Sequence, residues 1–210
     1  MPDPRANPSS RRSIDKPGIV LLYLFTVVTI DLTVPAHVWL LGAESFRRYW
    51  PYDAEVGLAV VICTVYIYKP PILELSRWRP KWVDVVVGIT FGTLIAWIQL
   101  LLTGPDVFKT ELPGSSMLPI VLAGPVLEEI LFRGIFLRLL QDHFNAIAAI
   151  LLATAMGAMT HSNVWTALFP QLAFCLLYAC LGRSLFAPIT CHIVSNTILY
   201  FPILRQVLGK

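Results

Sequence analysis

The sequence has little charge for its length. Only 14% of its 210 residues are charged and 56% are hydrophobic, whereas about a quarter of the residues of a soluble domain are charged. The formal net charge is only +3, and the basic residues are scattered between apolar runs, so nucleic acid is not an expected partner. Long apolar runs recur along the chain instead, which indicates an integral membrane protein surrounded by a lipid bilayer.

Cysteine pairs and metal-binding motifs are also lacking. The four cysteines lie in apolar segments without C-x-x-C spacing, so the sequence suggests neither a disulfide framework nor a zinc site. No H-E-x-x-H pair occurs, and we expect neither a cofactor nor a bound metal. Residues 1–18 are polar and rich in Pro and Ser, unlike a secretory signal, so we expect them to be a retained, disordered tail.

Seven apolar segments are candidates for membrane helices, since a spanning helix needs about 20 apolar residues. Polar breaks rich in Pro and Gly separate them. The sequence predicts an all-α fold: a polytopic transmembrane bundle of about seven or eight helices, with N-terminal membrane helices in 19–104 and a catalytic membrane domain in 117–203. The candidate segments run from about 19–41, 54–68, 83–103, 117–140, 145–160, 165–181 and 185–204.

Positive charge predicts the orientation of the bundle. Most Lys and Arg residues lie in the N-terminal tail and in the loops on the same side as the tail. Because such loops remain in the cytoplasm, we expect a cytoplasmic N-terminus. The expected location is a bacterial inner (plasma) membrane.

Three charges interrupt the fourth apolar segment, in the stretch GPVLEEILFRG at 124–134. Glu129 and Arg133 have the i,i+4 order that favours a helix ion pair. Glu128 lies about 100° around the helix from Glu129 and can face another partner. A charge at the bilayer centre costs roughly 2.5–3.5 kcal/mol on the more lenient scale, so these side chains require partners or a polar cavity.

Further polar groups follow on two later segments. His161 lies at the end of the fifth segment, while His192 and Asn196 are spaced i,i+4 on one face of the seventh. With Glu128, these groups contain what amide hydrolysis requires: a carboxylate to take a proton from water, imidazoles, and an amide N–H for an oxyanion. We expect them to line a polar catalytic cavity in the C-terminal half.

The spacing E-E-x-x-x-R at 128–133, the single His161, and H-x-x-x-N at 192–196 resemble the CPBP family of intramembrane proteases. That family includes type II CAAX prenyl endopeptidases and bacteriocin-processing and immunity membrane proteins. One position departs from the family pattern, because Gly157 stands where members usually have Phe.

The resemblance implies a metal-independent glutamic protease. In that reading Glu128 and His161 activate a water molecule, and His192 and Asn196 stabilise the oxyanion. Glu129 and Arg133 would have a supporting role. The implied reaction is hydrolysis of a peptide bond near the C-terminus of a membrane-anchored or lipid-anchored protein or peptide.

Other functions are compatible with the same residues. Buried Glu, His and Arg also line ion pathways, so a proton-coupled transporter is one alternative. A non-catalytic immunity or scaffold protein is another. Two histidines and two glutamates could instead hold zinc, and a buried ion pair could simply lock helices together.

Overall fold

The computed structural model describes residues 16–41, 57–64, 81–104, 119–161, 163–182 and 184–208. All regular secondary structure in these ranges is helical, which confirms the predicted all-α class. We number the helices in chain order. They are α1 (Lys16–Leu41), α2 (residues 57–64), α3 (Trp82–Thr103), α4 (consecutive pieces Pro119–Ala123, Gly124–Glu129, Ile130–Leu137 and Arg138–Gln141), α5 (Ala146–Met159), α6 (Val164–Cys180) and α7 (Phe186–Leu208).

The helix bounds lie close to the predicted segments. Helix α1 begins at Lys16, so the last three residues of the predicted tail are helical, and residues 1–15 of that tail lie outside the described part of the chain. The second predicted segment is described only over 57–64, where it is helical. Of the described helices, Trp82–Thr103 is the one with the length and composition needed to cross a membrane, while α5 and α6 are shorter apolar helices.

Helix α4 occupies the centre of the fold. Its residues from Ile130 to Leu137 are all buried, and they form the core together with residues of α1, α5 and α6. Two stretches of α4 have the wider π-helical hydrogen bonding, which commonly occurs at functional sites. A helix that is buried on all sides has no solvent face for charge, so every polar side chain on it must find a partner inside the protein.

Helices α3 and α7 approach each other closely through two glycines. A Cβ atom at Gly88 would lie 2.7 Å from the carbonyl oxygen of Ala187, and one at Gly92 would lie 2.9 Å from the Cβ of Val194. Small residues four apart permit such backbone contact between membrane helices. This contact positions α7, which carries His192 and Asn196.

Polar contacts add to the anchoring of α3. Ser184, just before α7, donates a 2.5 Å hydrogen bond to the buried carboxylate of Asp84 in the first turn of α3. On α6, Pro170 has no N–H for the carbonyl of Thr166, and that carbonyl accepts a long hydrogen bond, 3.4 Å, from Gln99 of α3. Helix α3 therefore braces both α6 and α7.

Candidate active site

The buried ion pair on α4 is the first element of the site. Arg133 Nη1 lies 3.1 Å from Glu129 Oε1, and both side chains are 0% exposed. This is the i,i+4 pair that the sequence predicts. The pair is joined by one hydrogen bond, and Glu129 Oε2 has no hydrogen-bond partner among the described residues.

Helix α6 supplies the other partners of Arg133. Its Nη2 donates to the main-chain oxygen of Gln171 at 3.0 Å and also to the side-chain Oε1 of Gln171. The guanidinium carbon lies 5.3 Å from the ring centroid of Phe174, within the range of a cation–π contact. Arg133 is thus held between its own helix and α6.

His192 connects the ion pair to α7. Its Nδ1 lies 3.0 Å from Glu129 Oε1, and its ring stacks on Phe174 at a centroid distance of 4.6 Å. An ionised carboxylate only accepts hydrogen bonds, so Nδ1 carries the proton in this contact. Glu129, Arg133 and His192 therefore form one buried cluster, which we call the inner cluster.

Glu128 lies on another face of α4 and is directed at a different histidine. His161 Nε2 lies 3.9 Å from Glu128 Oε2, and the two side chains are 36% and 22% exposed. We call them the outer pair. Their separation exceeds hydrogen-bond distance, and Glu128 Oε2 is buried with no hydrogen-bond partner in the described part of the chain.

The tautomer of His161 follows from its backbone contact. Its Nδ1 lies 3.0 Å from the carbonyl oxygen of Gly157, one turn earlier on α5. A carbonyl oxygen can only accept, so Nδ1 must carry a proton. In the neutral ring, Nε2 then holds a lone pair directed towards Glu128.

Asn196 lies one turn beyond His192 and contacts the start of α4. Its Nδ2 donates to the carbonyl oxygen of Ile120 at 3.0 Å. In a π-helical turn the donor to that carbonyl would be Pro125, which has no N–H. Asn196 satisfies this carbonyl with one of its two amide hydrogens.

The structure therefore brings five of the six predicted site residues into two adjacent groups, and Asn196 belongs to neither. Glu128 and His161 form the outer pair, while His192 joins Glu129 and Arg133 rather than pairing with Asn196. Adjacent positions on α4 send the two glutamates to different partners, as the offset of about 100° per residue requires.

Two residues that contact the inner cluster were not predicted from the sequence, and both lie on α6. Gln171 is a polar residue inside the apolar run LFPQLAF, and that pattern could have singled it out. Phe174 gives no such signal, because an aromatic residue in an apolar helix is ordinary core. Across the described ranges, no group of three His, Cys, Asp or Glu side chains is arranged to hold a metal ion.

One stretch in the C-terminal part of the chain is similar to a known protein family. Residues 111–198 match the family described as type II CAAX prenyl endopeptidase Rce1-like. The match confirms the resemblance drawn from the motifs, and the matched segment includes both the outer pair and the inner cluster. The family is one of membrane proteases. Comparisons with curated proteins and with solved structures found no match.

Proposed function

We propose that this protein is an intramembrane glutamic endopeptidase in which the outer pair activates water. The observation that carries the proposal is the 3.9 Å separation of Glu128 Oε2 and His161 Nε2. Both atoms are hydrogen-bond acceptors when Glu128 is ionised and His161 is neutral.

A water molecule fits between two such acceptors. A water oxygen about 2.8 Å from each atom would see them at an angle of roughly 90°, close to the angle between the two O–H bonds of water. Both water hydrogens would then point to protein acceptors. The oxygen lone pairs would remain directed away from the protein, towards a substrate carbonyl.

Hydrolysis then proceeds by general base catalysis. The water oxygen forms a bond to the scissile carbonyl carbon while its proton passes to Glu128. The resulting tetrahedral intermediate collapses as the C–N bond breaks, and the leaving amine takes a proton from the outer pair. The products are a carboxylic acid and an amine, which become a carboxylate and an ammonium when the acid proton passes to the amine, and no covalent bond to the protein forms.

Asn196 and His192 are proposed to stabilise the oxyanion of the intermediate. Asn196 uses one amide hydrogen on Ile120, and the second has no acceptor among the residues that the structure describes. His192 has its Nδ1 fixed on Glu129, which leaves Nε2 as the ring nitrogen that can donate when the ring is protonated. Donors fixed before reaction stabilise developing charge strongly.

Glu129 and Arg133 of the inner cluster are proposed to support the site rather than to react. Glu129 and Arg133 are fully buried, and each has its partners inside the protein. Opposite charges placed together reduce the cost of burial, whereas loss of one partner leaves the other charge uncompensated. The cluster thereby fixes the position of His192.

A polytopic arrangement in a bilayer is proposed from the outward-facing side chains. Large apolar residues on several helices face outwards, including Leu101 and Trp97 on α3, Ile147 on α5 and Trp165 on α6. Contiguous apolar surface of this kind favours lipid contact. We propose that the protein lies in a bacterial inner membrane with its N-terminus in the cytoplasm.

The proposed substrate is a membrane-anchored protein or peptide cut near its C-terminus. The description of the matched family specifies prenylated CAAX substrates. Such substrates carry the lipid on a cysteine three residues before the C-terminus. A chain anchored in this way would present its C-terminal peptide bonds close to the membrane that holds the enzyme.

A cleavage assay with the purified full-length protein in liposomes tests this function. The probes are a quenched fluorescent peptide with a farnesylated C-a-a-X terminus and the same peptide without the lipid. We expect cleavage by the wild type and a loss of roughly 100-fold or more in Glu128→Gln, because the base is removed. Asp142→Asn, an exposed acid-to-amide change at the end of α4, is the matched control and should retain activity.

Three outcomes would contradict the proposal. Full activity of the Glu128→Gln variant would exclude Glu128 as the general base. Loss of activity in chelator, restored by added zinc, would indicate a metal enzyme. Proton flux into the liposomes without cleavage of either peptide would favour a transporter.

A further inference from the structure

Gln171 lies at the point where the two groups of site residues meet. Gln171 is 1% exposed, and Arg133 Nη2 of the inner cluster donates both to its main-chain oxygen and to its side-chain oxygen. It also packs against Gly157, whose carbonyl orients His161 of the outer pair. No residue of the predicted site reaches both groups in this way.

The contact with Gln171 keeps one nitrogen of Arg133 away from Glu129. An arginine and a carboxylate commonly form two parallel hydrogen bonds. Here Arg133 Nη2 is directed at Gln171 and Nη1 reaches Glu129, while Nε has no partner among the described residues. Glu129 Oε1 accepts from both Arg133 and His192, while its Oε2 has no partner among the described residues.

Loss of the Gln171 side chain would remove one of the two acceptors that Arg133 Nη2 contacts, and the main-chain oxygen of residue 171 would remain as the other. Arg133 could then turn to the unpartnered Oε2 and form the two-bond pair with Glu129. The carboxylate would have to rotate towards the guanidinium, and Oε1 would leave its position 3.0 Å from His192 Nδ1. His192 would lose the contact that holds its ring in place.

We propose that Gln171 is a positioning residue of the active site, which holds Arg133 so that Glu129 stays bonded to His192. This inference rests on the proposed protease function. A glutamine suits the task because its amide oxygen accepts from Arg133 without adding a negative charge that would compete with Glu129.

Gly157 makes room for this side chain. A Cβ atom at position 157 would lie 2.9 Å from Gln171 Cδ, a distance at which something must shift. The Gln171 side chain can therefore keep its position only because residue 157 has no side chain. Gly157→Ala should push the Gln171 side chain away from Arg133 and have the same effect as its removal.

The test compares Gln171→Leu with Gln99→Leu in the full-length protein. Gln99 is a matched control, since it is also a glutamine that bonds to α6, but its partner is the Thr166 carbonyl, away from the site. The readouts are kcat and KM on the farnesylated peptide and the NMR signal of the His192 Nδ1–H in protein with ¹⁵N-labelled histidine. A hydrogen bond to a carboxylate moves that proton signal far downfield and slows its exchange with water.

We expect Gln171→Leu to lower kcat by roughly tenfold with little change in KM, the effect of one weakened hydrogen bond to a charged group. The His192 signal should move upfield and exchange faster, while Gln99→Leu leaves both unchanged. A folded Gln171→Leu protein with the wild-type His192 signal would overturn the inference. If the wild type cleaves no peptide, the protease function fails, and the NMR signal still decides whether Gln171 positions His192.

A double substitution separates positioning from simple packing. Gly157→Ala alone should shift the His192 signal, because it displaces Gln171. In a Gln171→Ala background the clash is relieved, so Gly157→Ala should cause no further change in the signal or in kcat. Equal effects of Gly157→Ala in both backgrounds would show that Gly157 does not act through Gln171, which would overturn the arrangement. If Gln171→Leu does not fold, the comparison of Gly157→Ala with and without Gln171→Ala tests the inference instead.

Discussion

The close contact between α3 and α7 predicts a large difference between two glycine substitutions. Gly92 lies where α3 crosses α7, and a Cβ there would fall 2.9 Å from Val194 Cβ and would also meet the backbone of Cys191. Gly134, inside α4, is the matched control, because a Cβ there would lie 3.4 Å from the flexible end of Leu185. Both positions are helical, buried and free of positive φ.

The expected difference in stability follows from comparing the effects that the two substitutions share with the effect that only one of them has. Each gains up to about 1 kcal/mol because alanine favours a helix more than glycine does. That gain cancels in the comparison. Only Gly92→Ala forces two backbones apart, and overpacking of this kind costs typically about 1–3 kcal/mol. We therefore expect Gly92→Ala to unfold roughly 2–12 °C below Gly134→Ala.

The separation of α3 and α7 should also reach the active site. Cys191, against which the new methyl group would press, is the neighbour of His192. A displacement of about 1 Å at a catalytic group can reduce turnover roughly 100-fold. Thermal unfolding in detergent and cleavage of the farnesylated peptide measure the two effects. Equal stability and equal activity of the two variants would refute the packing that places α7.

Two other substitutions test the buried polar contacts. Glu129→Gln should destabilise the protein by about 3–5 kcal/mol, because Arg133 is left buried without its counter-charge, whereas Glu128→Gln should stay near wild-type stability in the same thermal unfolding assay. Equal losses in these two variants would contradict the division into an inner cluster and an outer pair. Ser184→Ala should cost about 1–3 kcal/mol, since the buried Asp84 loses its hydrogen bond, and the exposed Thr90→Ala is its control. A Ser184→Ala protein as stable as that control would show that the Asp84 contact does not brace α3.

The fold could be predicted from the sequence to the extent that apolar length determines helices. Each predicted segment coincides with a helix in the described residues, because proline, glycine and polar stretches end apolar runs sharply. The predicted membrane crossings are supported less directly, since among the described helices only Trp82–Thr103 has the length and composition needed to cross a membrane. Helices α5 and α6 are apolar but shorter than the roughly 20 residues that a spanning helix needs.

Residue spacing predicts contacts within one helix, and the site could be predicted from the sequence only to that extent. The i,i+4 rule gave Glu129 and Arg133 as a pair and sent Glu128 to another face. The rule has no information about contacts between helices. Two sets of contacts depend on how α6 and α7 cross α4. They are the hydrogen bond between His192 and Glu129, and the hydrogen bonds from Arg133 to Gln171.

The central claim is that Glu128 and His161 act together on one water molecule, and a double-mutant cycle tests it most directly. Glu128→Gln and His161→Asn should each reduce kcat on the farnesylated peptide by roughly 100-fold or more. Groups that act as a unit are not additive, so the double variant should be no slower than the slower single variant. Losses that multiply in the double variant would show that the two side chains perform separate tasks, and would contradict the shared water.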